Sequence, residues 1–176
     1  MNIMIRQETQ NDYGHTEDVV KEAFQDEEHS DHKEQFLVAR LRKTDAFIPE
    51  LSLVAEMNHE IVGHTMLTKL MIEDSEREFD SLALAPVSVL PKYQNQGIGT
   101  RLIRESLKLA KEMGFQSVIV LGHDRYYPRF GFKPASVWGI KAPFDVPDES
   151  FMALELQEGS LDGVSGTVVY NRAFFE

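Results

Sequence analysis

The residues with the clearest chemical potential lie in a short glycine-containing segment, where Gln94, Gly97 and Gly99 precede an amphipathic stretch. Glycine lets backbone N–H groups approach a ligand closely, because it has no Cβ atom. The first N–H groups of a helix lack partners inside the helix, and the helix dipole is positive at that end. The segment therefore predicts an anion-binding site, with a phosphate or a pyrophosphate as its natural ligand.

The spacing of the glycines separates three classes of phosphate site. A dinucleotide-binding turn needs a small residue at the position that Leu102 occupies here. A P-loop needs Gly-Lys-Ser/Thr, whereas Gly99 is followed by Thr100 and Arg101. The pattern that remains is Gln-x-x-Gly-x-Gly before a helix, for which an ordinary tight turn is the alternative interpretation.

A second candidate group follows an apolar run farther along the chain. Residues 117–121 have the sequence SVIVL, which predicts a strand buried on both faces. Tyr126, Tyr127, Gly131 and Phe132 come shortly after this run. A tyrosine hydroxyl with a pKa of about 10 stays protonated at neutral pH, so it can donate a proton. The alternative is a tyrosine that only packs its ring in the core.

Hydrophobic periodicity predicts the elements that position both groups. Residues 79–90 predict the strand that enters the glycine turn, and Pro86 marks an edge, a bulge or an early end of this strand. A helix is predicted to end near Gly114. Strand, helix and strand in this order predict a parallel crossover. The predicted buried face of the helix consists of Leu102, Ile103, Ser106, Leu107, Ala110 and Met113.

The remaining pattern predicts an α/β chain. The other predicted elements are a strand at residues 3–7, a helix capped by Thr9 or Asn11, a second helix at residues 36–43, a break at residues 45–50, a hairpin of residues 51–57 and 61–72 around a turn at 58–60, and strands at residues 151–156 and 166–170.

Composition limits the class of protein. A chain of 176 residues with 42 % apolar residues suits one domain, and the absence of cysteine excludes a thiolate zinc site and a cysteine nucleophile. No secretory signal or long apolar span is evident, which predicts a cytoplasmic protein without a membrane partner. The formal net charge of −11 disfavours nucleic acid as a partner. It suits a cationic acceptor such as an amine, although a solvated acidic surface is the more common reason for such a charge.

The glycine turn and the tyrosine segment resemble the GNAT N-acetyltransferase superfamily. In that family the pattern Q/R-x-x-G-x-G/A cradles the coenzyme A pyrophosphate, and a later Y-x-x-x-G-F pattern is matched here by Tyr127, Gly131 and Phe132. The specific matches lie within residues 82–132, although the order of elements fits the family over nearly the whole chain. The C-terminal part resembles a bacterial subgroup of predicted acetyltransferases with unassigned substrates.

The resemblance implies the GNAT acyl-CoA N-acyltransferase fold, which is an α/β (α+β mixed sheet) fold with splayed parallel strands flanked by helices. It implies a single domain over residues 1–176 and acetyl-CoA or coenzyme A as the cofactor. Tyr127 is implied to lie near the cofactor sulfur and to act as the general acid for the leaving thiolate. The other implied cofactor-binding residues are Val87, Ser88, Val89, Gln94, Asn95, Gln96, Gly97, Ile98, Gly99, Thr100 and Arg101.

The implied reaction is acetyl transfer to a primary amine by direct attack in a ternary complex. The acceptor is a small-molecule or peptide amine, and polyamines, amino acids, antibiotics, protein N-termini and lysine all remain open. The first candidate base is Glu56. The alternative bases are His64, Asp80, Glu27, Glu28 and His32. No metal site is expected, because His29 and His32 in the acidic run are too few ligands.

Two other functions stay open at this point. A catalytically silent acyl-CoA-binding domain that regulates would keep Gly97 and Gly99 but would not depend on Tyr127. An interaction protein on the same scaffold would form a homodimer through its C-terminal strands.

Overall fold

The computed structural model describes residues 2–28 and 30–176, so His29 lies outside the described residues. Three α-helices and nine β-strands lie within the described ranges. The helices are α1 Tyr13–Phe24, α2 Glu34–Leu41 and α3 Ile98–Glu112. The strands are β1 Met4–Gln7, β2 Phe47–Met57, β3 Glu60–Glu73, β4 Glu78–Val89, β5 Ser117–Leu121, β6 Lys133–Pro134, β7 Ile140–Lys141, β8 Phe151–Glu155 and β9 Gly166–Val169. None of the described helices has the length and apolar character needed to cross a membrane.

The chain forms two compact units. The first contains the residues up to Thr68, Ala85–Leu109 and Arg172–Glu176. The second contains Lys69–Leu84 and Ala110–Asn171. The single domain over residues 1–176 stays a prediction.

In the first unit, antiparallel pairing joins β1 to β2 and β2 to β3. The turn between β2 and β3 places Asn58 at φ 52° and His59 at φ 65°. Two successive residues with positive φ are characteristic of the tight turn whose twist matches that of a hairpin. The predicted hairpin is therefore confirmed.

The predicted break at residues 45–50 is wrong, because β2 already begins at Phe47 and includes Pro49. The register of β2 against β3 shifts between Phe47 and Ser52. A proline has no N–H to donate to the neighbouring strand. Where the register shifts, the regular pairing is interrupted, so β2 can contain Pro49, which is exposed.

In the second unit, the first part of β4 pairs in parallel with β5, at Leu82–Val118 and Ala83–Ile119. Antiparallel pairing then joins β5 to β8 and β8 to β6, while the end of β3 pairs with β9 and β9 with β7. These pairings confirm the predicted mixed sheet of parallel and antiparallel strands. They also confirm that α3 connects β4 to the parallel strand β5. An early end of β4 at Pro86 is wrong, because the strand continues to Val89.

The face of α3 follows the prediction except at Leu107, which is only partly buried, and at Met113. Leu102, Ile103, Ser106 and Ala110 are buried, whereas Met113 is 43 % exposed. Met113 faces solvent because α3 ends at Glu112 and the chain turns through Gly114 at φ +91°. A glycine at this position ends the helix without the strain that a Cβ atom would cause.

Candidate active site

The glycine turn connects β4 to α3 within the first unit. A short 3-10 turn, Pro91–Tyr93, follows β4, and Gly97 directly precedes Ile98 at the start of α3. Gly97 has φ +82°, and a Cβ atom added there would meet no other atom within 4 Å. The backbone conformation therefore requires glycine, and the space beside it is open to a ligand.

The start of α3 fits an anion. The N–H of Arg101 donates to the carbonyl of Gly97 at 3.1 Å and closes the first turn of the helix. The N–H groups of Ile98 and Gly99 lie in the first turn of α3, where a helix offers no acceptor of its own. A helix start of this kind is a typical site for an anion.

Two exposed glutamine side chains bind backbone carbonyls of the turn. Nε2 of Gln94 donates to the carbonyl of Val89 at 3.1 Å, and Nε2 of Gln96 lies 3.5 Å from the carbonyl of Lys92. The side chain of Arg101 likewise donates to the carbonyl of Ile3 at 3.1 Å. These side chains hold the turn in place, so a ligand would meet chiefly its backbone.

The last residues of β4 present their backbone groups alternately to β3 and away from it. The N–H of Leu90 donates to Val62 at 2.9 Å, and a Cβ atom on Gly63 would lie 3.0 Å from the carbonyl of Ser88. Ser88 therefore directs its backbone towards β3. Because strand residues alternate, Val87 and Val89 direct theirs away from β3. The carbonyl of Val89 accepts from Nε2 of Gln94.

Tyr127 begins a 3-10 turn in the second unit. This turn ends at Gly131, which has φ +98°, and a Cβ atom on Gly122 would overlap the Tyr127 ring. The ring also makes edge contacts with Tyr126 at 5.1 Å and with Phe132 at 5.8 Å between centroids. Burial, with a smaller contribution from Tyr126, raises the pKa of Tyr127 to about 12. The hydroxyl is therefore protonated at neutral pH and can act as a donor.

Glu56 lies beside an open cavity of about 310 Å³ in the first unit. The guanidinium of Arg6 donates to Asp12 at 2.7 Å and 2.9 Å, and its Nε lies 3.5 Å from Glu56. The hydrogen bond from Arg6 holds the pKa of Asp12 well below its usual range. The other acidic residues that line the cavity are Asp18, Glu22 and Glu60.

A second, closed cluster surrounds His64, which is fully buried. The hydroxyl of Ser52 lies 2.8 Å from Oε1 of Glu8 and 3.0 Å from Nε2 of His64. Arg42 donates to Glu8 at 2.7 Å and to Glu17 at 2.9 Å. Burial lowers the pKa of His64 to about 4, with opposing contributions from Glu8 and Arg42. His64 is therefore neutral at pH 7.

Comparison with known proteins decides the family. The model of the acetyltransferase (GNAT) family matches residues 7–132. The chain belongs to this family. YjhQ of Escherichia coli strain K12, an uncharacterised N-acetyltransferase, is 43 % identical over 121 residues, which cover 66 % of this chain and 65 % of YjhQ. The chain thus spans just under two thirds of that relative. YhbS of the same strain is 30 % identical over 139 residues, or 78 % of this chain and 81 % of YhbS.

Solved GNAT structures confirm the fold. The structure of YhbS from Escherichia coli in complex with CoA has a TM-score of 0.89 at 26 % identity and covers 100 % of this chain and 93 % of its own. A GNAT acetyltransferase from Brucella melitensis in complex with acetyl-CoA has a TM-score of 0.81 at 34 % identity and covers 98 % of both chains.

The other candidate bases of this GNAT chain are dispersed. Asp80, Glu27 and Glu28 are exposed. Glu27, Glu28 and His32 lie between the end of α1 and the start of α2, and His32 has φ 60°. Nδ1 of His32 lies 2.9 Å from the carbonyl of Phe24, which explains this bend.

Sequence reasoning missed Glu8, Arg42 and Ser52. Only His64 carried a local signal, because it interrupts an apolar strand pattern. The partners of His64 come from β2 and from two connecting segments, and no periodicity links these positions.

Proposed function

We propose that this GNAT-family chain transfers an acetyl group from acetyl-CoA to a primary amine by direct attack of the amine in a ternary complex. The observation that carries the proposal is the turn before α3, where Gly97 combines φ +82° with open space beside the first N–H groups of the helix. Two similar solved proteins are described as complexes with CoA and with acetyl-CoA. Acetyl-CoA supplies the activated acetyl thioester when it binds.

The chain contributes two stretches of backbone to cofactor binding. Residues 94–101 hold the pyrophosphate, with Gly97, Ile98 and Gly99 as N–H donors and Thr100 and Arg101 in the first helical turn. Val87 and Val89 pair with the amides of the pantetheine arm, because their backbone groups point away from β3. Ser88 lies between them and directs its backbone towards β3, so it does not take part in this pairing.

The acceptor must lose a proton before or during attack. An amine with a pKa of about 10.4 is neutral in only about one molecule in 2500 at pH 7, a deficit of roughly 4.6 kcal/mol. Two carboxylates are candidates for the base that accepts this proton. Glu56 faces the open cavity beside Arg6, and Glu8 ends the buried cluster of His64. The net charge of −11 supports a cationic acceptor.

Tyr127 donates a proton to the leaving thiolate in this proposal. Its assignment comes from the family pattern, and its raised pKa of about 12 supports it by keeping the hydroxyl protonated. A leaving thiolate, with a pKa of about 8.5 by analogy with cysteine, accepts such a proton readily.

Replacing Gly97 tests the cofactor site. Gly97→Glu adds a negative charge at the positive end of α3, which should raise the dissociation constant for CoA at least about tenfold. Gly97→Ala is the matched control. It places a non-glycine residue at the same positive φ, so it causes the same backbone strain as Gly97→Glu without the charge or the long side chain. Calorimetry on folded protein measures both. Equal CoA affinity in wild type and Gly97→Glu would refute the cofactor site.

Tyr127→Phe tests the chemistry, with Tyr126→Phe as its matched control. The first variant should lower kcat by about 10- to 100-fold with little change in CoA affinity, because it removes one hydroxyl from a proton transfer that water partly replaces. Turnover of acetyl-CoA with polyamine, amino-acid amide and lysine-peptide acceptors measures this. CoA binding without turnover of any amine would instead identify the catalytically silent domain.

A further inference from the structure

Gly122 is the residue against which the ring of Tyr127 lies. It directly follows β5, and Tyr127 begins the next 3-10 turn, Tyr127–Phe130. A Cβ atom added to Gly122 would overlap Cε2 of that ring and would lie 2.9 Å from Cδ2 and 3.3 Å from Cζ. Ordinary contacts between carbon atoms are about 3.5–4.0 Å long. The ring therefore occupies the space that any side chain at position 122 would need.

Space, rather than backbone conformation, is what requires glycine at position 122. The φ angle of Gly122 lies outside the left-handed region, in contrast to those of Gly97 and Gly131. The other common use of glycine is to let another group approach the backbone closely. In this chain the group that approaches is the ring of Tyr127.

The backbone of Gly122 is held in place beside the ring. Its N–H donates to the carbonyl of Ser150 at 2.9 Å, and the preceding residue, Leu121, pairs with Phe151 of β8. These contacts fix the end of β5 to the start of β8. An added Cβ atom would therefore displace the ring rather than the strand, by on the order of 1 Å.

Other aromatic side chains hold the ring of Tyr127 on its remaining sides. The centroids of Phe132 and Phe130 lie 5.8 Å and 6.3 Å from that of Tyr127, and Tyr126 makes an edge contact. Phe132 is buried. Because Tyr127 itself is only partly buried, a displaced ring would move towards solvent.

Packing alone determines where the hydroxyl of Tyr127 points. Among the residues that the structure describes, none forms a hydrogen bond with this hydroxyl. A hydroxyl that no partner holds follows its ring wherever the ring moves. The side chain that Gly122 lacks thus decides the position of the hydroxyl.

We propose that Gly122 is a positioning residue that places the hydroxyl of Tyr127 for proton donation. The inference rests on the proposed acetyl transfer and on the role of Tyr127 in it. A shift of about 1 Å in a reacting group can lower a rate about 10²-fold. Gly122→Ala should therefore lower kcat by about 10- to 100-fold, which is also the loss expected of Tyr127→Phe.

Thermal unfolding of the full chain tests the contact without any turnover. Gly122→Ala should lower the unfolding midpoint by about 2–12 °C, because the added Cβ atom overlaps the ring. In a Tyr127→Ala background the same substitution should cause no loss, because the ring is absent. Equal losses in both backgrounds would overturn the proposal.

Gly14→Ala is the matched control for the substitution itself. A Cβ atom at Gly14 would meet no other atom within 4 Å, and this residue lies in α1. Alanine is a better helix former than glycine, so this variant should keep or raise the midpoint in either background. A loss as large as that of Gly122→Ala would overturn the assignment of the loss to the ring.

The ionisation of Tyr127 shows whether its hydroxyl has moved. Burial raises the pKa of Tyr127 to about 12, so a ring displaced towards water should have a pKa nearer to 10. At pH 11 the phenol should then be about 90 % ionised in Gly122→Ala and about 10 % ionised in the wild type.

Tyrosinate absorbance of folded protein measures this ionisation. Subtracting the spectrum of the matching Tyr127→Phe variant isolates the one phenol, because the neighbouring Tyr126 is present in all four proteins. Equal ionisation of Tyr127 in wild type and Gly122→Ala would show that the hydroxyl has not moved, which would overturn the proposal.

A cycle of kcat values tests the link to the chemistry, with acetyl-CoA and a lysine peptide as substrates. Gly122→Ala should lower kcat while the affinity for CoA stays unchanged. Added to Tyr127→Phe, it should lower kcat no further, because the hydroxyl that it displaces is already absent. Losses that multiply would refute the positioning role alone. Wild-type kcat in Tyr127→Phe would refute the proton donor, and the positioning role with it.

Discussion

Two arginines of the first unit each hold a pair of carboxylates, one in an open cluster and the other in a closed one. Arg6, 29 % exposed, binds Asp12 and lies near Glu56 at the cavity. Arg42 is only 6 % exposed, and it binds Glu8, which is fully buried, and Glu17 at the margin. The ring of Tyr13 covers the Arg42 guanidinium at 3.9 Å.

Burial makes the same chemical pair behave differently in the two clusters. Water reaches the guanidinium of Arg6, so the open pair is partly screened. Neither Arg42 nor Glu8 can be removed alone without leaving its partner as an uncompensated buried charge. The open cluster suits recognition of a charged group, whereas the closed cluster suits a fixed hydrogen-bond network.

The largest expected effect is that of Arg42→Met, which should lower the free energy of unfolding by about 3–5 kcal/mol, because it leaves Glu8 buried without its partner. Denaturant unfolding at pH 7 measures the change. Arg125→Met, at an exposed arginine, is the control and should change stability by less than about 0.5 kcal/mol. Similar small values for both variants would remove the distinction between the clusters.

The next effect is the contribution of His64 in the closed cluster to the pH dependence of stability between pH 7 and pH 4. The folded pKa of His64, about 4, lies below its usual value of 6.5, so the unfolded chain binds this proton first as the pH falls. The contribution of neutral His64 is complete above about pH 6.5 and is lost towards pH 4, at up to about 1.4 kcal/mol per pH unit and about 3 kcal/mol in total.

Unfolding curves of wild type and His64→Gln between pH 7 and pH 4 measure this contribution. The variant should show a shallower dependence in that window, since the titration of the remaining groups is common to both proteins. Parallel curves would show that His64 is protonated as easily in the folded state as in the unfolded one.

The smallest effect belongs to the open cluster. Arg6→Met should lower the free energy of unfolding by about 0.2–1 kcal/mol, because a partly exposed ion pair contributes little in water. The difference from wild type should shrink further in 1 M salt, where the Debye length is about 3 Å. A loss as large as that of Arg42→Met would mean that the two clusters are energetically alike.

Local patterns predicted the elements around the cofactor turn because each depends on neighbouring residues. The glycines at 97 and 114 have the positive φ that a turn and a helix end require. The predictions that failed have longer-range causes. The register shift of β2 against β3 admits Pro49 to a strand, and such a shift depends on the pairing of two strands rather than on neighbouring residues.

The sequence by itself determined the family, the strand–turn–helix that suits an anion and the tyrosine segment, because glycine conformation and hydrophobic periodicity act over a few residues. Only the tertiary structure decided which charges are buried and which nitrogen of His64 lacks a partner. Glu8, Arg42, Ser52 and His64 are distant in the chain, and they meet because β1, β2 and β3 pair while α2 ends beside them. Burial and hydrogen-bond geometry are properties of that assembly, so no local spacing encodes them.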